Sequence, residues 1–213
     1  AITKNILLGT AAVVLPLRQP WLVKKAANTV AQLSNNRFIL GVASGDRPSE
    51  YPLFGVDYQQ RGALFRDAMS IIQDPAAQLT QGQQLLPHAD PYPVFVAGLA
   101  QQTPAWIGQN LDGWLAYPGT PDDHIKRVSL WRSVAGNKPY VSFIHLDLLQ
   151  HHEAPLTRHR FGVKTGIKGL LRELNAMQAA GVNHIGLHFR RNESNLDDTL
   201  QDIAQHILPV FHQ

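Results

Sequence analysis

The chain has 213 residues, a formal net charge of +3, 44% hydrophobic and 16% charged residues, and no cysteine. Such a balance gives an ordinary globular protein of one large or two small domains, and the missing cysteines exclude disulfides, thiolate metal sites and cysteine nucleophiles. Basic residues are scattered in runs of at most two, and no apolar run approaches the ~18 residues of a membrane span, so neither a nucleic-acid partner nor a membrane partner is expected.

The predicted elements alternate along the chain. Asn5–Pro16 is apolar and β-branched and reads as a buried strand. A helix follows over Gln19–Ser34, with Leu22, Val23, Ala26, Ala27, Val30 and Leu33 at helical spacing. Arg37–Ala43 is the next strand. It breaks into Ser44, Gly45, Asp46, Arg47 and Pro48, and a helix is expected from about Tyr58 to Ile72. Gln73 to Pro93, rich in Gln, Pro and Gly, reads as a long connection. Tyr92–Gly98 is a strand, Gln101–Leu111 a short helix with Thr103 and Pro104 as cap and first turn, and Asp112–Pro118 a strand. A helix over Pro121–Val134 has acids in its first turn. Pro139–Leu149 is a strand, Gln150–Gly162 a polar loop, Thr165–Gly181 a helix, Val182–Phe189 a strand and Asn195–Phe211 a final helix.

Six apolar strands each followed by a helix predict a parallel sheet covered by helices, in one domain. No G-x-G-x-x-G follows any strand, so the dinucleotide fingerprint is absent and an eight-unit barrel is the other class that fits. The chain opens without an initiator Met, on a strand-like segment, which reads as a start in mid-domain. No leader pattern of basic then apolar residues is seen, and a cytoplasmic location is expected.

The run from Arg37 through "ILGVASGDRPSEYPLFGVD", the preceding "ILLGTAAVVLPLRQPWLVKKAANTVAQLSNNRF", the segment "YPVFVAGLAQQTPAWIGQNLDGWLAYP" and "GVNHIGLHFR" together resemble the bacterial luciferase-like flavin monooxygenases. The resemblance runs from Leu8 to Phe211 and is poorest over Gln73–Pro93 and Gln150–Arg160. It implies an α/β fold, a (β/α)8 TIM barrel, in which the opening strand here corresponds to the third. The first two βα units are then expected to lie outside this chain. With them goes the histidine that ends the second strand in such enzymes, so no catalytic residue is assigned. It also implies FMN as cofactor, or a deazaflavin in relatives that transfer hydride without oxygen. NAD(P)H as electron source, a separate flavin reductase, a homodimer and a small organic substrate are implied as well. A flavin-binding barrel fragment without catalysis is the alternative from another class.

Candidate site residues follow from these two sources. Gly98 and Ala100 leave room for close backbone approach, and Ala100, Gln101, Gln102 and Thr103 precede a helix whose free N–H groups suit a phosphate. Read alone they make an ordinary capped helix start; the resemblance makes them the seat of the flavin phosphate. Ser44 and Gly45 would border the cofactor by resemblance, Ser44 at the barrel mouth if the Phe38–Leu40–Val42 face is inward. Relatives often carry Arg at Ser44, so direct phosphate pairing there is not expected. Asp46 would line the pocket, or pair with Arg47 on the surface. His188 and Arg190 share a predicted strand face with His184 and Gly186 and are pocket-lining candidates at the strand's C-terminal end. His145 reads as a satisfied core histidine sooner than as a pocket-lining one. His151, His152 and Glu153 are adjacent on a loop and lack a ligand spacing, so no metal is expected. No G-x-S-x-G elbow supports a hydrolase.

Overall fold

The computed structural model describes residues 2–76 and 79–211. These form two compact units that divide between Leu115 and Ala116.

The first unit carries strands β1 (Leu8–Gly9), β2 (Val13–Val14), β3 (Phe38–Ala43), β4 (Val94–Ala97) and β5 (Gly113–Leu115), with helices α1 (Pro20–Leu33), α2 (Arg61–Gln73) and α3 (Pro104–Asn110). All strand pairs are parallel: β1 and β2 on β3, then β3 on β4 and β4 on β5. Register places Val42 opposite Val96, and Val96 opposite Trp114. Leu40, Val42 and Val96 are at most 2% exposed, and burying such side chains stabilises by about 1.5–3 kcal/mol each. This is the helix-facing side, for Phe38 packs edge-on against Tyr92, and the Tyr92 hydroxyl donates to Asn28 of α1 at 3.2 Å. Helices α1 and α3 both begin with Pro at the first position, where the missing N–H has no helical acceptor anyway. Their caps are Gln19, accepting from the Leu22 N–H, and Thr103, accepting from the Trp106 N–H.

On the opposite face, Gly41 has no room for a side chain: a Cβ would sit 1.8 Å from the Thr10 carbonyl oxygen. The Thr10 hydroxyl instead donates to the Gly41 carbonyl and accepts from the Gly41 N–H, both at 2.9 Å.

The second unit carries α4 (Pro121–Ala135), β6 (Tyr140–Leu148), β7 (Thr157–His159), β8 (Gly162–Thr165), α5 (Ile167–Ala179), β9 (His184–His188), α6 (Leu196–His206) and α7 (Leu208–Phe211). Strands β8 and β9 flank β6 in parallel, and β7 runs antiparallel to β8. The acids expected at the start of α4 do more than face the dipole: Thr120 and Asp123 close a reciprocal capping box. Tyr140, Ile144, Leu146 and Leu148 form the buried side of β6. Charges that enter this unit are paired. Arg158 grips the buried Glu173 with two 2.8 Å hydrogen bonds, and Lys164 lies 2.8 Å from both Asp147 and Glu193.

Several expectations are corrected. The opening strand is not buried: it is reduced to β1 and β2, and Ile6, Leu7 and Leu8 are exposed because β1 pairs on one side only among the described residues. The apolar stripe of α1 is right in register, yet Leu22, Val30 and Leu33 are exposed and only Ala27, Asn28 and Ala31 are buried. The helix expected from Tyr58 starts as a 3-10 turn and becomes α only at Arg61. The polar loop after β6 contains β7, and with β8 it makes a short antiparallel pair. The last helix breaks near Ile207 into α6 and α7. The long connection is irregular as expected, although Ala77 and Gln78 lie outside the described residues.

Candidate functional site

In the first unit the two loops singled out from sequence are built as one connected set. Ser44 is buried, and its carbonyl accepts a hydrogen bond from the Tyr51 hydroxyl. Gly45 has φ +79°, and a Cβ there would lie 2.7 Å from that hydroxyl and 2.8 Å from Val14. Both constraints demand glycine. Burial of Tyr51 raises its phenol pKa, against the nearby Arg61, which lowers it. Tyr51 meets Tyr58 edge-on at 5.0 Å, and the Arg61 guanidinium lies over the Tyr58 ring at 3.7 Å.

The second loop follows β4. Gly98, Ala100 and Gln101 all have left-handed backbones, with φ of +62°, +46° and +61°. Two adjacent non-glycine residues in that region cost about 1–2 kcal/mol each. Neighbouring contacts hold them there. Gly98 donates to the Leu115 carbonyl at 3.0 Å and Gln102 to Leu99 at 2.8 Å. The Gln102 side chain donates to the carbonyls of Gly62 (2.9 Å) and Ala100 (3.0 Å). Gln101 packs against Gly62, where a Cβ would come within 2.9 Å of its own. Thr103 caps α3, as expected.

Arg61 and Gly62 thus join the two loops, and sequence reasoning missed both. Arg61 Nε is buried and without a hydrogen-bond partner among the described residues, although its NH1 donates to Tyr58 at 2.8 Å. The signal was present: a cation at the first position of a helix opposes the helix dipole, and nothing acidic stands in that turn.

Other assignments change. The Phe38–Leu40–Val42 face lies under α1 and is not the inward one, while Ser44 stands just beyond the end of β3 at Ala43. Asp46 is exposed, and Arg47 pairs with Glu50 at 3.1 Å rather than with Asp46. A cleft of about 940 Å³ lies between this region and α1, lined by Val14, Leu22, Ala26, Phe38, Leu40 and Glu50.

In the second unit β9 divides its faces as expected. Ile185 and Leu187 lie with Leu174, Val182 and Ile207 on the helix side. His184, Gly186 and His188 stand opposite Val141, Phe143 and His145 on the other. Arg190 leaves that face, because the strand ends at His188 and Phe189–Arg191 is a 3-10 turn. His188 Nδ1 accepts from the Arg190 N–H at 3.1 Å, which places the proton of the neutral ring on Nε2. His145 is not a satisfied core histidine: its Nδ1 is buried and unpartnered among the described residues. Desolvation, then His188, Arg191, His159 and Arg190, hold its pKa below the usual histidine value. The face therefore offers a ring surface from Phe143, His145 and His188 and one unsatisfied ring nitrogen.

Residues 1–138 match the family model described as luciferase-like monooxygenase. The chain belongs to the luciferase-like monooxygenase family. An uncharacterized protein of Mycobacterium tuberculosis strain H37Rv is 30% identical to this luciferase-like chain over 167 residues, 69% of the chain and 56% of that protein. The chain thus spans little more than half the length of such curated relatives. Among solved structures, an F420-dependent secondary alcohol dehydrogenase in complex with an F420-acetone adduct superposes with TM-score 0.80 at 15% identity, over 100% of this chain and 81% of that one. Monooxygenase RslO1 from Streptomyces bottropensis superposes with TM-score 0.72 at 18% identity, over 98% of this chain and 79% of that one. Both share its α/β fold, the barrel type of luciferase-like enzymes. Among the described residues no helix is long and apolar enough to cross a membrane.

Proposed function

We propose that the chain holds a phosphate-bearing flavin and serves an FMN-dependent monooxygenase acting on a small organic substrate. The observation that carries this reading is the left-handed turn at Gly98, Ala100 and Gln101, held beside the first turn of α2. Gly98 and Ala100, left-handed on either side of Leu99, form the kind of turn whose backbone N–H groups make an anion-binding concavity. Strain at non-glycine positions that neighbouring contacts over-determine is characteristic of ligand clamps. Arg61, with an unpartnered buried Nε, supplies the positive charge that Ser44 cannot. The residues present therefore fit an anionic cofactor.

When bound, a reduced flavin supplies electrons for oxygen chemistry and a deazaflavin supplies hydride. The chain's own part is to fix the phosphate with Arg61 and the turn from Gly98 to Thr103, in which the Gly98 and Gln102 N–H groups are already spent on Leu115 and Leu99, and to border the cofactor with Ser44 and Gly45. In the first unit Asp46, and in the second unit His188 and Arg190, would be pocket-lining residues. His145, held neutral, is suited to accept or donate one hydrogen bond without bringing a charge. Reducing equivalents would come from NAD(P)H, directly or through a separate flavin reductase.

A deazaflavin-dependent hydride transfer is the second reading, favoured by the likeness across the whole chain to the F420-dependent dehydrogenase. Mixing the protein with FMN or F420, separating it by gel filtration and recording the spectrum decides between them. Retention of FMN supports the first reading, retention of F420 alone the second, and retention of neither rejects both. FMN retained without NAD(P)H- or oxygen-linked turnover would mark a non-catalytic binder.

A further inference from the structure

We propose that His152, Asp202 and His206 form a binding site for a divalent transition-metal ion of the zinc type, fastening the loop after β6 to helix α6. The three side chains each bring one ligand atom, and these atoms lie within 4.8 Å of one another. Two come from one helix face, since Asp202 and His206 are one turn apart on α6. The third comes from a loop about 50 residues earlier in sequence.

The cluster has the marks of a ligand set rather than of an internal network. His152 Nε2 stands 3.8 Å from the Asp202 carboxylate, beyond hydrogen-bond reach. The two imidazoles meet edge to face at 5.3 Å rather than stacking. Among the described residues no hydrogen bond joins any pair of the three. Donor atoms that converge without bonding to each other leave their lone pairs for a common cation. Two imidazole nitrogens and one carboxylate oxygen are the donors zinc takes, with a water completing the shell of a three-ligand site. Such a cation would also lie near the C-terminal turn of α6, where the helix dipole favours positive charge.

The loop is held in place for this role by its backbone. The His152 carbonyl accepts from the Lys168 N–H at 3.2 Å, and Ala154 both donates to His151 (2.9 Å) and accepts from Gly166 (3.1 Å). Gly166 makes the arrangement possible: a Cβ there would come within 2.3 Å and 2.5 Å of the His151 and His152 carbonyl oxygens. Neighbouring Glu153 is occupied by Lys168 and does not join the set.

The test is a calorimetric titration of the chelator-treated chain with zinc chloride, with Co²⁺ absorption as a second readout. The wild-type chain is expected to take up one zinc with saturation and to gain thermal stability with it. His152→Ala and His206→Ala, both at exposed positions, should each weaken that uptake at least about tenfold, since even outer partners of a metal site are worth ten- to hundredfold in affinity. Circular dichroism of each variant checks that the fold is kept, and Asp202→Asn, which preserves shape, gives a third loss. His88→Ala, at an exposed histidine outside the cluster, should bind zinc as the wild type does. Absence of saturable uptake by the wild type, or unchanged affinity in either histidine variant, overturns the site. Because zinc uptake is read without flavin, the result is independent of the cofactor reading.

Discussion

His145 and His188 stack face to face across β6 and β9, their ring centroids 4.6 Å apart and their planes 17° from parallel. They are direct partners in the strand register, so the contact is imposed by the sheet. Two imidazolium ions cannot share that spacing cheaply, and a proton on one ring opposes a proton on the other. The His145 pKa, held down first by desolvation and then by His188, should rise in His188→Ala. A histidine NMR titration checks this. A His145 value that stays or falls would mean that the pair is not electrostatically linked.

A second histidine should set an acid limit on stability. His124 is fully buried, bonded through Nδ1 to the Tyr140 hydroxyl at 2.9 Å, and burial followed by Arg127 lowers its pKa to about 4. Asp123 and Glu173 pull in the other direction without prevailing. The unfolded ring takes a proton near the ordinary histidine value of 6.5, whereas the folded ring refuses it down to about 4. Unfolding therefore binds a proton in that window. The stability due to the neutral ring is full above the unfolded value and is lost as pH falls toward the folded one. Urea melts between pH 7.5 and 4 should show that loss in the wild type and a shallower one in His124→Phe.

The strained turn after β4 should respond in opposite senses to two small changes. Ala100→Gly removes a left-handed penalty and is expected to stabilise by about 1 kcal/mol, net of the added freedom of the unfolded chain. Gly98→Ala introduces such a penalty and should cost about 1–2 kcal/mol. Chemical denaturation measures both. If flavin binding depends on the turn being preset, Ala100→Gly should also bind FMN more weakly despite being more stable.

Arg61 permits a discriminating binding test. If its guanidinium meets the cofactor phosphate, Arg61→Met should lose about 1.5–3 kcal/mol, roughly ten- to hundredfold, toward FMN. Riboflavin, which lacks the phosphate, should be affected little. An equal loss for both ligands would assign Arg61 to ordering Tyr58 and Tyr51 instead. Fluorescence quenching of each flavin supplies the two dissociation constants.

How far the fold could be read in advance depended on whether its signals were local. Strand β3 was plain because Phe38–Ala43 is an unbroken apolar run ending in small polar residues. Helix α4 was plain because the acids of its first turn stand together, though its Thr120 cap was found only in the structure. Strand β7 was invisible: Thr157–His159 is three polar residues whose pairing is set by β8, not by their own pattern. Alternation placed His188 on the correct face but failed one step later, where the 3-10 turn takes Arg190 off the strand. The loops at Ser44 and Gly98 were legible as small-residue turns, with the family resemblance giving them meaning. Arg61 was not, since its relevance rests on Gly62 touching Gln101 and Gln102, contacts roughly 40 residues apart in sequence. The approach of His152 to α6 is non-local in the same way.

The reciprocal pair between Thr10 and Gly41 gives this protein an internal gauge of motion. The Gly41 amide proton is held by a side-chain hydroxyl rather than by a neighbouring strand's carbonyl. Its exchange with deuterium therefore reports when the segment around Thr10 detaches, separately from the opening of β3 against β4. Thr10→Val should speed exchange at Gly41 while leaving Leu40, whose N–H donates to Pro93 at 2.9 Å, protected as before. That single amide distinguishes a loosened edge from a loosened sheet.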